Sequence, residues 1–596
     1  MKQILLPLAS FALMMGNALN ANAETYESWT LLEGPDGKTW SANTSATMED
    51  FGNEWYSDMR YQTMTVSLFD AAHQPKGEFV VDVTGKQANT VEVFGPITQH
   101  LFNGDDCYEL GIDIHIPGNA DNDYKGQILF RAYSTNGQML MEADGNGVIL
   151  ADGDDASFVL NRQVDNGLWG ITAIDVYKPS ATGEGMEVAH TFEVDNLLGE
   201  YMVGPILNTA LLSDGVHYII CHYEEPMVEL DENGEIQWDP ETWMPYWTPD
   251  NHFVIENYNK DFEKVDELMA STECPDGILL RMMGLGFMGA EEVTEGYYTG
   301  DQRYNYLITC DDTNENWSDQ YAFEVFAQGN EHVTTLCDKV GGYWNKLSGI
   351  EGEADQWVFL QISPTSGTEQ LTVVEAPSCE VVRIIPAELD GKLISANIDR
   401  IADEAEGYKY VIGLNEPVLE STEDVIAQYG IYHKDLTVDG YVCFNMGPNA
   451  ETFTPLINGE SLDPHLFYAD DKREFIFLSK LQGQDGEMHN TLFLGNEDGE
   501  ILNVWTGDGT TKGDILQVAI LNYGTDQPEL FICYYDWDSD VYEKEFLPLP
   551  LDNTTAIREL HNASGVATFY NLQGMPAGQK ASGLLIRNGQ KVSISR

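Results

Sequence analysis

Three kinds of residue spacing in this chain could do chemistry. The first is Gly284-Leu285-Gly286-Phe287-Met288-Gly289, which follows the apolar run Ile278-Leu279-Leu280 and matches G-x-G-x-x-G. In a dinucleotide site that spacing lets the backbone approach a pyrophosphate at the start of a helix. The segment that must form the helix, residues 290–303, contains Gly296 and Gly300 and has no helical period. The glycines are therefore expected to interrupt a strand, and no cofactor is expected. The second kind is the acidic run, of which there are three: Asn119-Ala120-Asp121-Asn122-Asp123, Asp311-Asp312-Thr313-Asn314-Glu315-Asn316, and Asp536-Trp537-Asp538-Ser539-Asp540. Each offers oxygen ligands at alternate positions, as calcium loops do. Counting from Asp536, an EF-hand needs glycine at the sixth position and glutamate at the twelfth, where this chain has Val541 and Leu547. Asp536, Asp538 and Asp540 stay the candidate calcium ligands, in competition with an ordinary solvent-facing turn.

The third is an aromatic loop, Gln237-Trp238-Asp239-Pro240-Glu241-Thr242-Trp243-Met244-Pro245-Tyr246-Trp247-Thr248-Pro249. Rings this dense, on a backbone stiffened by prolines, suit stacking against a sugar or anchoring a protein partner. Trp238, Trp243, Tyr246 and Trp247 are the candidate ligand-binding residues, and the competing expectation is a small hydrophobic lid. Catalytic spacings are absent: there is no H-E-x-x-H, G-x-S-x-G or G-x-x-x-x-G-K-[ST]. His217 and His222, five apart on a strand, point to opposite faces, so one should be buried and one exposed. With 98 acidic residues, a carboxylate pair for glycoside hydrolysis could meet in space, but no spacing selects one.

The elements that must position these residues are strands. Aromatic-rich apolar runs recur at His217-Tyr218-Ile219-Ile220, Tyr304-Asn305-Tyr306-Leu307-Ile308, Gln356-Trp357-Val358-Phe359-Leu360, Tyr408-Lys409-Tyr410-Val411-Ile412, Arg473-Glu474-Phe475-Ile476-Phe477 and Glu529-Leu530-Phe531-Ile532. Each opens a unit of short strands joined by polar turns such as Asn496-Glu497-Asp498-Gly499. Units of this kind fit an all-β fold, a β-propeller-like repeat of roughly seven or eight blades, with separate β-sandwich domains as the alternative. Helix is sparse, and residues 261–270 are its best candidate.

Acids outnumber bases 98 to 30, a formal charge of -68, while 43% hydrophobic and 11% aromatic content is ample for a large core. Such a field disfavours nucleic acid and anionic membrane as partners. Cys107, Cys221, Cys274, Cys310, Cys337, Cys379, Cys443 and Cys533 include no C-x-x-C pair, so zinc and redox motifs are not expected. Five of them (Cys221, Cys310, Cys337, Cys443 and Cys533) sit in apolar runs and are expected to be buried. At the N-terminus, Lys2, an apolar run over residues 4–15 and Ala21-Asn22-Ala23 form a signal-peptide pattern with cleavage expected before Glu24. The run is too short to cross a bilayer, and no later stretch is long and uncharged enough to form a transmembrane segment. The organisation expected is a leader over residues 1–23, a body over 24–556 and a tail over 557–596.

The tail reverses the charge of the body, with Arg558, Lys580, Arg587, Lys591 and Arg596 against the single acid Glu559. Its strands read Phe569-Tyr570-Asn571-Leu572-Gln573-Gly574, then Gly583-Leu584-Leu585-Ile586, then Asn588-Gly589-Gln590-Lys591-Val592. This pattern resembles the C-terminal sorting signal of type IX secretion in Bacteroidota over about 30 residues, with Tyr570, Leu572, Gly574, Gly583, Gly589, Lys591 and Val592 at the matching positions. The resemblance implies a small β domain that engages the secretion machinery and delivers the body to the outer-membrane surface or the medium. Met575, where the family usually has a basic residue, and Leu585, where it has an aromatic, depart from the pattern. The body points to no named family. Its expected role is binding, of a glycan or a protein. A polysaccharide-active enzyme (hydrolase or lyase) with carboxylates in a propeller funnel is one alternative, and a structural or adhesive surface protein is another.

Overall fold

The computed structural model describes residues 24–51, 58–117, 126–151, 157–163, 171–180, 185–193, 206–223, 237–240, 252–271, 290–311, 320–362, 368–415, 425–447, 450–456, 472–482, 486–507, 513–536 and 541–551, parts of the tail between 569 and 594, and a few single positions. The described residues form strands and turns and contain no helix. The chain divides into two compact units, one of residues 1–167 and 175–191, the other of residues 168–174 and 192–596.

Within both units the repeating object is an antiparallel meander in which strand order in the sheet follows chain order. Three four-stranded meanders lie wholly or mainly in the first unit, the first of them formed by Glu24–Glu33, Thr39–Asp50, Met59–Phe69 and Pro75–Asp82. Strand Glu109–Ile116 turns Leu110, Ile112 and Ile114 toward the core holding Val66, Leu68 and Phe79. Phe130, on the next strand, stacks on Phe158 at 4.2 Å between ring centroids, in a second core with Leu160 and Ile149.

The second unit shows why the apolar runs are continuous rather than alternating. Trp357 and Phe359 of strand Gln356–Ile362 pack with Phe323 and Val325 of the strand set before it, and the intervening Val358 packs with Tyr410 and Ile412 of the set after it. The pattern repeats one sheet on. Val411 joins Phe475 and Phe477 in the next core, and Ile476 joins Ile532 and Tyr534 in the one after. A strand covered on both faces must be apolar at every position, and full burial of each large side chain contributes roughly 1.5–3 kcal/mol.

Four of the six aromatic-rich runs lie in second strands of their sheets, Gly215–Tyr223, Tyr304–Asp311, Glu474–Gln482 and Glu529–Asp536, while Gly407–Asn415 is the third strand of a five-stranded sheet and Gln356–Ile362 the fifth of seven. The units therefore begin at least one strand earlier than the runs imply. Second strands have a neighbour on each side as well as on each face, so they carry the strongest apolar signal. The first strand Ala290–Glu295 is more polar, and Asp514–Leu521, though apolar in sequence, is only partly buried over most of its length. One strand serves two meanders. Glu331–Leu347 pairs with Tyr321–Ala327 through its first half and with Gln356–Ile362 through its second, and its register jumps between Val340 and Trp344 at Gly341-Gly342. The sheet containing it has seven strands.

The helix expected over residues 261–270 is instead a hairpin turn followed by strand Lys264–Ser271. Asn259 Oδ1 accepts from the Asp261 and Glu263 amides, each at 3.0 Å, and Phe262 takes a positive φ of 63°. That Asn-centred turn competes successfully with a helix start. Asn496-Glu497-Asp498-Gly499 is a hairpin as expected, with Gly499 at φ 78°. In the tail, Phe569–Tyr570, Pro576–Ala577, Gly583–Arg587 and Gln590–Ile594 make a small sheet, and Arg587 pairs with Gln590 across Asn588-Gly589. Residues 1–23 and the glycine motif at 284–289 lie outside the described residues.

Candidate functional site

Of the aromatic loop, Trp238 and Tyr246 are described and both are exposed, at 40% and 43%. Their backbone is tied down: the Gln237 amide donates to the Glu229 carbonyl at 3.0 Å, the Tyr246 amide to the Gln237 carbonyl at 2.9 Å, and the Glu229 amide to the Tyr246 carbonyl at 2.8 Å. Trp243 and Trp247 lie outside the described residues, as do Asp538, Asp540, Leu572, Gly574, Gly589 and the two other acidic runs apart from Asp311. Asp536 ends strand Glu529–Asp536 opposite Val541. Tyr570 pairs with Ile586, Gly583 with Ile594, Lys591 with Ile586 and Val592 with Leu585. Among the described residues no cluster of three or more His, Cys, Asp or Glu could hold a metal ion, and no helix is long and apolar enough to cross a membrane.

The cysteines divide. Cys337 and Cys533 are buried, as expected of small hydrophobes, but Cys443 is exposed. The reason is its strand: Val438–Gly447 is an edge strand with an alternating burial pattern, so Val442 and Phe444 face the core and Cys443 faces out. His217 is 1% exposed and the His222 side chain 18%. His217 belongs to a hydrogen-bonded chain across two sheets, with Nε2 2.8 Å from Asp214 Oδ1 and Nδ1 2.7 Å from Asn257 Oδ1. The Asn257 amide donates to the Tyr306 hydroxyl at 3.0 Å, and that hydroxyl donates to Asp266 at 2.8 Å. These groups satisfy one another and leave no place for a ligand between them.

A cavity of about 220 Å³ opens where the last two sheets of the body meet, lined by Lys480, Met488, Asn490, Asp514, Ile515, Leu516 and Tyr535. Its polar groups arrive as two register pairs. Lys480 lies opposite Asn490 across strands Glu474–Gln482 and Met488–Asn496, and Asp514 lies opposite Tyr535 across Asp514–Leu521 and Glu529–Asp536. Ile515, packed in the core with Ile476, Leu492, Ile532 and Tyr534, brings the two pairs together. Two bonds hold the Asp514 carboxylate: Oδ1 lies 2.8 Å from His489 Nδ1 and accepts from the Asn490 amide at 3.3 Å. The Asn490 side chain donates to the Ile515 carbonyl at 3.0 Å, crossing between the sheets. An ionised carboxylate only accepts, so His489 carries its proton on Nδ1. Asp514 Oδ2 accepts no hydrogen bond among the described residues and is available to a ligand hydroxyl.

The site thus offers a fixed acceptor, an ammonium, a phenol and three apolar side chains in a volume below the roughly 300–1,000 Å³ of drug-sized pockets. That is room for one ring. It presents a single carboxylate, whereas hydrolysis of a glycosidic bond uses two. Nothing in the sequence singled out these residues, since lysine, asparagine and aspartate beside turns are ordinary; register alone makes them neighbours.

No family model matches the chain, and no curated protein does. Among solved structures it is similar to a eukaryotic initiation factor (9% identity, 83% of this chain and 90% of that one, TM-score 0.36) and to rhamnogalacturonan lyase YesW (13% identity, 88% and 85%, TM-score 0.34). It is also similar to the β-propeller domain of the Trilobed protease from Pyrococcus furiosus (8% identity, 68% and 97%, TM-score 0.23). Likeness at this level says nothing about activity, so the functional assignment rests on the chain's own residues.

Proposed function

We propose that this chain is an exported binding protein, with meanders arranged as propeller-type blades and a glycan as its ligand. The observation that carries the reading is the Lys480–Asp514–Tyr535 cavity, which combines one ring's volume, an apolar lining and an acceptor held in place by His489. A sugar ring presents both a C–H face and hydroxyl groups, and a pocket that mixes apolar and aromatic surface with a few placed polar groups matches both. The exposed Trp238 and Tyr246 side chains supply a second stacking surface for a longer glycan. Binding is favoured over hydrolysis because the cavity lining holds one carboxylate.

Delivery is a separate part of the proposal. The leader over residues 1–23 and the tail over 557–596 would act as two address labels, and a hairpin at Asn588-Gly589 is what the sorting pattern calls for. A glycan array of the mature body, repeated with Asp514→Ala and Tyr535→Ala, tests the ligand. Wild-type signal reduced at least tenfold in both variants is expected; silence on every glycan, with the fold intact by circular dichroism, rejects it. Removing residues 583–596 should strand the body in the periplasm, and unchanged surface delivery would reject the sorting role.

A further inference from the structure

Building on the glycan reading, we propose that the cavity selects a sugar acid and that Lys480 is the specificity residue, pairing with the carboxylate of the bound ring. The argument starts from the charge inventory. Acids exceed bases 98 to 30, and lysines in the described structure are drawn into ion pairs: Lys76 with Asp70 at 2.6 Å, Lys264 with Glu267 at 2.6 Å, Lys409 with Asp403 at 2.8 Å and Lys434 with Glu353 at 3.0 Å. Lys480, exposed at the cavity, makes no ion pair or hydrogen bond among the described residues. Register explains this. Its cross-strand partner is the neutral Asn490, and the carboxylate lining the same cavity, Asp514, gives Oδ1 to His489 and the Asn490 amide.

An ammonium left without an acid on so acidic a chain is a vacant half of an ion pair. A neutral sugar would leave it vacant, and a ring carboxylate would complete it with a charge-assisted hydrogen bond, about twice as strong as a neutral one. Asp514 Oδ2 remains for a ring hydroxyl. The negative field of the whole chain opposes an anionic ligand at a distance. At about 0.15 M salt, however, screening confines that field to about 8 Å, so contact at Lys480 decides.

The test uses the full mature chain at 150 mM salt and measures, by chemical-shift titration, the methyl glycosides of glucuronate, galacturonate and mannuronate against those of glucose, galactose and mannose. Wild type should bind at least one acid roughly tenfold or more tighter than its neutral counterpart, as expected for a bond to a charged group. Lys480→Met should abolish that preference, and Lys480→Arg should keep it. Lys480 is on the surface, so both variants should fold. Neutral sugars bound as well as acids, or a preference that survives Lys480→Met, would overturn the proposal and leave the glycan reading standing. Failure to bind any of the six would overturn both.

Discussion

Asp113 is the residue on which the chemistry of burial weighs most visibly. It sits on strand Glu109–Ile116 at 4% exposure, opposite Glu92, and accepts from Asn146 Nδ2 at 2.5 Å and the Gly147 amide at 3.3 Å. Burial pushes its carboxyl up to about 7, with the Glu92 charge adding to the rise. A carboxyl raised in the folded state holds its proton there after the unfolded chain has lost it. Asp113 therefore costs no stability below its ordinary value near 4, and it costs progressively more as pH climbs to about 7, on the order of 4 kcal/mol in total. Asp113→Asn should flatten that decline, so the melting-temperature gap between variant and wild type should widen in the variant's favour from pH 4 to pH 7. A constant gap would show that Asp113 ionises in the folded protein as it does in the unfolded one. The acid composition announces many carboxylates, but which of them is buried depends on a pairing register that composition does not contain. The same holds for Lys480 and Asp514: turn chemistry and strand alternation are local and were legible, whereas a cavity shared by two sheets is not.

At the scale of elements, the turns are where the sequence speaks most plainly, and Gly499 shows how much they carry. It closes the hairpin between Met488–Asn496 and Ile501–Thr506 at φ 78°, and a Cβ placed there would lie 2.6 Å from the Cys443 carbonyl oxygen of the neighbouring sheet. Gly486 has a similar φ of 89° with nothing within 4 Å of such a Cβ. Alanine at Gly486 should cost about 1 kcal/mol, the price of a left-handed backbone with a side chain. Alanine at Gly499 should cost at least twice that, because backbone must move as well, and denaturant midpoints of the two variants measure the difference. Equal losses would mean that the two sheets approach each other less closely than this geometry requires. Residues 259–263 gave the opposite lesson. Residues 261–270 read as the best helix candidate of the sequence, but the Asn259 side chain caps two amides and turns the chain back.

For the molecule as a whole, the formal charge of -68 sets the conditions under which the fold is comfortable. Like charges on a compact chain repel, and salt shortens the reach of that repulsion from about 30 Å at 0.01 M to about 8 Å at 0.15 M. The melting temperature should therefore rise on going from 10 to 150 mM sodium chloride, and differential scanning calorimetry would show it. A fall would mean that attractive pairs such as Lys409–Asp403 outweigh the net repulsion. All-β character and repetition were legible at this scale because an apolar, aromatic-rich inner strand recurs from sheet to sheet in the second unit. The position of the unit boundaries was not, since first strands range from the polar Ala290–Glu295 to the apolar Asp514–Leu521 and share no common signal.

The strand Glu331–Leu347 carries one more consequence, and it is mechanical. Neighbouring sheets elsewhere are separate strand sets, even where a single residue such as Gly145 or Ala387 joins them. The two meanders that share this strand have no such break between them. A force transmitted along the chain would have to shear the backbone ladder of Glu331–Leu347 to separate them. Residues 290–386 should accordingly yield as a single step that releases more contour length than any other single sheet of the body.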